Sequence, residues 1–448
     1  MSDISDVIRI GSGAGYSGDR IDPAIELVEK GNLDFLVFEC LAERTIALAQ
    51  LRRSRDPQSG FDPLLEERIR ACLPGCASRG IRIISNMGAA NPQAALAKTK
   101  AIAQSLGIKN LSLAAITGDE VSALLAGGEY TLLETGAPLD SIRDRIISAN
   151  AYLGMEPIVE ALDQGAHIVL TGRVADPALF LAPAVHAFRW DRQNYRLMGQ
   201  GIVMGHLLEC AGQVSGGYFA DPGYKDVSGL DHLGFPFAEV LREGTFSVRK
   251  VDGSGGRIDQ ATCTEQLLYE IHDPARYPTP DVIADFSGVS LTEEGSDCVT
   301  VRGGKGHPPS GQLKVSIGYR DGYQGEGQIS YGGVNAVARG QLASEILQKR
   351  FARWQIPAED LRFDLIGLNA LYGKGTESVA PAEVRLRVTV RSMSPSIAAK
   401  VGREVEALYT NGPAGGGGAV AQVREIVAIQ SVLIPAELVK PQIHLEKI

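Results

Sequence analysis

A chain of 448 residues that is 44% apolar and 22% charged is long enough for two or three domains with true cores. Its composition is that of an ordinary globular protein, which excludes a stapled miniature scaffold, a disordered chain and a membrane protein. A formal charge of −9, with no basic stretch longer than Gln50–Arg55, excludes a nucleic-acid partner, which needs a phosphate-neutralising surface.

The 52 glycines are well over one and a half times the ordinary share of roughly 7%. They fall in short clusters, which predicts many backbone loops shaped around a ligand. Apolar runs such as Ile168–Leu170 are strand-length, far below the roughly 20 residues that span a bilayer. The polar, acidic Met1–Asp6 is unlike a targeting leader, so the expected location is the cytoplasm. Among the cysteines there is no CxxC pair, and Cys72 and Cys76 have no nearby His or second pair. Reduced thiols are expected and no metal is assigned.

Residues 1–188 alternate β-branched runs with helical stretches, the pattern of an α/β domain around a mostly parallel sheet. The predicted strands are Val7–Gly11, Asp34–Glu39, Arg82–Asn86, Leu111–Thr117 and His167–Thr171. Between them lie helices such as Pro23–Lys30, opened by Asp22 as N-cap and closed by Gly31, and Pro92–Leu106, closed by Gly107. Residues 189–309, broken by Gly216–Gly217, Gly253–Gly256 and Gly303–Gly304, read as an irregular connecting region. Residues 310–448 give strand Gln312–Tyr319, helix Asn335–Phe351, strands Arg362–Leu371 and Glu383–Arg391, helix Pro395–Tyr409 and strand Arg424–Leu433. That βαββαβ order predicts a ferredoxin-like α+β domain, interrupted by glycine loops at Asp321–Gly327 and Asn411–Gly418.

The first loop, Gly11–Arg20, matches G-x-G-x-x-G at Gly13, Gly15 and Gly18, and Glu39 occupies the place of a ribose-binding acid. Against a nicotinamide site, the helix starts at Asp22–Pro23, beyond Gly18, and Asp19 adds negative charge. A loop that only turns the chain is the plainer reading.

Ligands of parallel α/β sheets bind outside the carboxyl ends of the strands. Those ends are chemically loaded here: Ser12, Tyr16 and Asp19; Glu39 and Cys40; Asn86; Thr117 and Asp119; Thr171, Arg173 and Asp176. Glu39 follows the apolar run Phe35–Phe38, which predicts a partly desolvated carboxyl fit for acid–base work; the structural alternative is an ion pair with Arg44 or Arg20. Arg173 suits bidentate capture of a carboxylate or phosphate, and a surface ion pair is its alternative. Asp176 before Pro177 also suits a helix cap. Cys40 has no neighbouring His to activate it and reads as a buried thiol. His206, with Glu209 and Cys210 on one helical face, reads as a core histidine or an acid. The glycines of Asp252–Arg257 and of Gly412–Gly418, with Gly415 and Gly416, could cradle an anion.

Three segments, Ile10–Arg20, Phe38–Thr45 and Thr171–Asp176, together resemble the acyclic terpene utilisation protein family, a likeness extending from Val7 to about Leu433. The resemblance implies a role in bacterial breakdown of branched terpenoids and related carboxylates or CoA thioesters. Some relatives continue into an extra small domain, so a small companion protein is an expected partner, alongside self-association as a homo-oligomer.

The expected activity is that of a catabolic hydro-lyase, a hydratase or dehydratase, acting on a branched carboxylate or acyl-CoA without a bound cofactor. Glu39 is the expected base, Arg173 the clamp and Asn86 an enolate-side donor, with Tyr16, Asp19 and His206 as candidate acids. Gly13, Gly15, Ser17, Gly18, Thr171 and Asp176 are the expected substrate contacts. The alternatives are an NAD(P)-dependent oxidoreductase using the first loop, and a non-catalytic binding or scaffold subunit of a companion protein.

Overall fold

Phe35–Phe38 buries all four of its side chains, as a strand covered on both faces must. In the computed structural model, which describes residues 6–357, 360–373 and 381–448, this segment lies inside a large mixed sheet. Met1–Ser5, part of the leader reading, lie outside the described residues. The chain divides into a larger unit, Met1–Gly318 with Ile429–Ile448, and a smaller one, Tyr319–Ala428.

The larger unit opens with six strands: β1 (Val7–Ala14), β2 (Phe35–Phe38), β3 (Arg82–Ser85), β4 (Ser112–Thr117), β5 (Ile146–Ala151) and β6 (Ile168–Thr171). All five predicted strands are among them, and the fold is α/β. Five run parallel in the order β1-β2-β3-β6-β4, so their carboxyl ends share one edge. Helices α1 (Asp22–Lys30), α2 (Glu43–Arg55), α3 (Leu65–Arg79) and α4 (Pro92–Ser105) follow the first three strands. Ile21, not Asp22, is the cap of α1. Leu27, Leu36, Phe38, Ile69, Ile83 and Leu170 belong to one buried core.

Residues 189–309 do not form an irregular connector. β7 (Pro236–Leu241) pairs antiparallel with β1, β8 (Phe246–Lys250) with β7, and strands Cys298–Arg302 and Ser290–Gly295 continue the same sheet. Alternate residues of β8, Phe246, Val248 and Lys250, are buried, the period-two signal that the intervening glycines obscured. On the opposite edge Gln442–Lys447 pairs antiparallel with β4, making ten strands.

The smaller unit runs strand, helix Ala336–Arg353, strand Leu361–Ile366, strand Glu383–Ser392, helix Pro395–Glu406, strand. Asp321–Gly327 is not a loop: the strand is continuous over Gln312–Gly332. A Cβ on Gly325 would lie 2.0 Å from the Ala398 carbonyl oxygen, so the glycine is there to let helix Pro395–Glu406 approach the sheet. Among the described residues no helix is long and apolar enough to cross a membrane.

Candidate active site

Glu39 leaves the end of β2 into a buried position, 7% exposed. Its Oε1 accepts from the Leu41 N–H at 2.8 Å and from Asn86 Nδ2, at the end of β3, at 2.9 Å. Asn86 Oδ1 in turn accepts from the Cys40 N–H at 2.7 Å. Asn86 therefore fixes the carboxyl and its backbone, and neither Arg44 nor Arg20 is its partner. Burial raises the Glu39 carboxyl above the usual range, with these hydrogen bonds and the Arg173 charge pulling back and Glu209 adding to the rise.

Arg173 follows β6 and is 1% exposed. Its Nη1 donates to the Leu41 carbonyl, its Nη2 lies 2.9 Å from Asp176 Oδ1, and its guanidinium stacks 4.0 Å from the centroid of the Tyr152 ring. The fork expected to grip a ligand carboxylate is thus already engaged. Nε has no hydrogen-bond partner, and neither does Asp176 Oδ1, so the Nη2 contact is an ion pair without a hydrogen bond. Asp176 does not cap the next helix, which starts at Ala178 behind Pro177; about a third (32%) of its side chain stays accessible. Its removal from bulk water lifts the carboxyl well above the usual range, offset in part by Arg173 and reinforced by Glu39, Glu209 and Glu43.

Helix Tyr195–Leu208 delivers the remaining groups. A Cβ on Gly205 would stand 2.6 Å from Pro177 Cα, so glycine there lets the helix press against the Asp176–Pro177 turn. His206 follows it, with Nδ1 3.0 Å from Glu209 Oε1. His206 Nε2 and Glu209 Oε2 are buried without a partner. The ring rests against Tyr277 and Phe286, at centroid separations of 5.9 and 5.5 Å. Gly15 lies under the same segment, where a Cβ would meet the Cys210 backbone at 2.5 Å.

Beside this cluster, burial pushes the Glu43 carboxyl up, but Arg173, the Tyr152 hydroxyl that donates to it and Lys314 outweigh that and hold it at about 2. Asp119 Oδ2 accepts from the Arg173 N–H at 2.9 Å and Asn150 Nδ2 at 2.8 Å, and burial raises it to about 6. Thr171 is buried and donates to the Gly172 carbonyl at 3.0 Å. Burial likewise pushes the Cys40 thiol up, which disfavours a nucleophile.

The glycine loop is built differently from the predicted cradle. β1 extends to Ala14, so Gly13 lies within a strand. Asp19 Oδ2 accepts from the Gly15 N–H at 2.8 Å. Ser17 donates to Asp62 at 2.5 Å, and the buried Arg68 donates to the Ser17 and Asp19 carbonyls at 2.9 and 3.2 Å. Tyr16, beside Gly18, is 61% exposed. Tyr16, Ser17 and Asp19 thus shape the loop, with no hydrogen bond or ion pair to Glu39. In the 252–257 run the Gly255 and Gly256 N–H groups donate to His232 and Ser228 carbonyls. Gly415 and Gly416 belong to the smaller unit, where Gly415 has φ +71°.

Glu43, Tyr152, Glu209 and Tyr277 were not singled out as site residues. Glu209 had a signal, three residues after His206; Tyr152 and Tyr277 come from β5's end and a separate small sheet and had none. Among the described residues no three His, Cys, Asp or Glu side chains are arranged to hold a metal. No curated protein matches the chain. The family model described as acyclic terpene utilisation family protein AtuA matches residues 8–445. With nearly its whole length matched, the chain belongs to the acyclic terpene utilisation family.

Proposed function

We propose that this chain is an acid–base enzyme of the hydro-lyase type, acting on a branched acyclic carboxylate or its CoA thioester. The observation that carries the reading is the convergence of Glu39 and Asp176 on Arg173, with the His206–Glu209 pair acting on both carboxyls, and with buried polar atoms of Arg173, Asp176, His206 and Glu209 lacking hydrogen-bond partners. Native proteins leave few such atoms unsatisfied, and a cluster of them calls for a ligand or water.

Glu39 is the base that takes the α-proton of the acyl group. Asp176, whose surroundings favour the protonated form, gives its proton to the departing β-hydroxyl. The C–O bond breaks, water leaves, the double bond forms, and the proton held on Glu39 returns to Asp176 through solvent. Arg173 Nε donates to the acyl oxygen as enolate charge develops. Asn86 is a positioning residue, since its contacts are to Glu39 and Cys40.

The test is deuterium exchange. With branched enoic and β-hydroxy acids and their CoA thioesters in D2O, the wild type should place deuterium at the α-carbon and interconvert the two forms. Absence of both, with ligand still bound, would overturn the reading in favour of a binding subunit. That second reading draws on the internal engagement of Glu39 and both Arg173 Nη groups. The oxidoreductase alternative gains no support from the first loop, whose Gly15 N–H is already taken by Asp19. We also read the smaller unit as ferredoxin-like, from its spatial order Leu361–Ile366, Glu383–Ser392, Gln312–Gly332, Gly417–Pro435.

A further inference from the structure

From the same cluster, and resting on the acid–base reading of it, we infer that the reacting end of the ligand enters uncharged, as a thioester or comparable neutral acyl group, and that a free carboxylate is excluded.

The charge balance comes first. Glu39 and Asp176 share the Arg173 guanidinium, and Glu209 adds its charge to both carboxyls. Glu43 draws on the same guanidinium, alongside Lys314 at 3.2 Å and the Tyr152 hydroxyl. Recognition of a carboxylate by arginine normally uses two parallel N–H groups. Nη1 donates to the Leu41 carbonyl, and Nη2 lies 2.9 Å from Asp176 Oδ1, so a ligand carboxylate gripped end-on or side-on would share Nη2 with a carboxylate already there. The remaining Nε carries one N–H, which suits one carbonyl oxygen.

The site also resists the charges it already holds. Glu39 and Asp176 are both lifted above the usual carboxylate range, and each is raised further by the other carboxylates around it. A ligand anion would meet the same loss of water and the same repulsion, at a guanidinium already paired with Asp176.

The unpartnered atoms describe what fits instead. Arg173 Nε asks for an acceptor, Glu209 Oε2 and Asp176 Oδ1 for donors, and His206 Nε2 for either according to its tautomer. A β-hydroxyacyl thioester supplies a carbonyl oxygen for the first and a hydroxyl for the second. The half-buried rings of Tyr152 and Tyr277 give a branched hydrocarbon apolar surface to lie on.

The test uses the full chain and one acyl group, 3-methylbut-2-enoyl, as the free acid, as its N-acetylcysteamine thioester and as its CoA thioester. Calorimetric titration near pH 7.5 should show both thioesters binding at least about tenfold more tightly than the acid. The N-acetylcysteamine form carries no phosphates, so its preference reports the acyl site alone. Glu209→Gln, of the same shape and one negative charge fewer, should raise affinity for the acid at least about threefold without doing so for the thioester. Asp176→Asn is the second variant should the first not fold.

Acid binding equal to or tighter than thioester binding, with α-deuterium exchange, would overturn this inference and leave the acid–base reading standing. Tighter thioester binding without exchange would support the inference and sink that reading. Failure of all three forms to bind would overturn both.

Discussion

Arg173 and Asp176 form an ion pair of 2.9 Å, Nη2 to Oδ1, three residues apart in the chain, with the arginine 1% exposed and the aspartate still open to solvent. The pair ties the turn after β6 to its own floor. It converts the residue expected to bind ligand into one that orients a carboxyl.

Arg173→Met should therefore act on stability before it acts on binding. It leaves the Leu41 carbonyl and Asp176 without their cation, and removing one member of a buried pair costs about 3 kcal/mol or more. Urea unfolding should show the midpoint falling at unchanged slope. A stable variant that merely binds ligand more weakly would restore the clamp assignment.

Glu39→Gln separates chemistry from structure. Gln keeps an acceptor for Leu41 and Asn86 but takes no proton, so turnover should drop roughly 100-fold or more. Stability should stay within about 1 kcal/mol, because Gln keeps the acceptor that Leu41 and Asn86 use and removes a charge that burial already disfavours. The two measurements are α-exchange and melting temperature. Retained turnover with a large melting-temperature loss would remove Glu39 from the chemistry.

Gly205→Ala sets two opposing effects against each other. Inside a helix, alanine is favoured over glycine by about 1 kcal/mol. A Cβ 2.6 Å from Pro177 Cα and from its carbonyl oxygen forces a backbone shift, at about 1–3 kcal/mol. Net destabilisation is expected, together with altered binding, since His206 and Glu209 move with the helix. A raised melting temperature would show that the approach of the helix to Pro177 is not constrained.

Asp281 gives a pH dependence. Both its oxygens accept from the Met155 N–H, at 2.9 and 3.1 Å, and burial raises its carboxyl from 3.8 to about 7. Between those values the folded chain holds a proton that the unfolded chain has released. Stability from this group is accordingly greatest at low pH and falls as pH rises from about 4 to about 7. Asp281→Asn removes that slope. The variant should gain about 1–2 kcal/mol on the wild type between about pH 5 and pH 8, a figure reduced for partial solvent access. Parallel denaturation curves at the two pH values check it; a constant difference would remove Asp281 as the source.

Local pattern was legible where a strand is buried on both faces. Phe35–Phe38 reads as a strand from four apolar residues, and Glu39 and Asn86 read as site candidates because they follow such runs. The glycine segments misled where glycine serves packing: Gly325 in a strand against Ala398 and Gly13 within β1 look identical in sequence to loop glycines. The extension of the sheet by the β7–β8 hairpin was hidden because β7 joins the sheet by pairing with β1, more than 200 positions away (Val7 opposite Leu241), beyond any local period.

The sequence by itself determined which segments are strands of the parallel sheet and which polar residues sit at their carboxyl ends, because burial on both faces and strand-end position are written in short-range residue order. Tertiary structure alone decided the roles. Whether Arg173 is free to grip a ligand depends on Leu41, Asp176 and Tyr152 meeting it. Whether His206 is a core histidine or a site residue depends on Gly205 letting its helix reach Pro177. Those contacts join segments that no spacing relates, and the upward shift of the Glu39 and Asp176 carboxyls follows from the water they exclude.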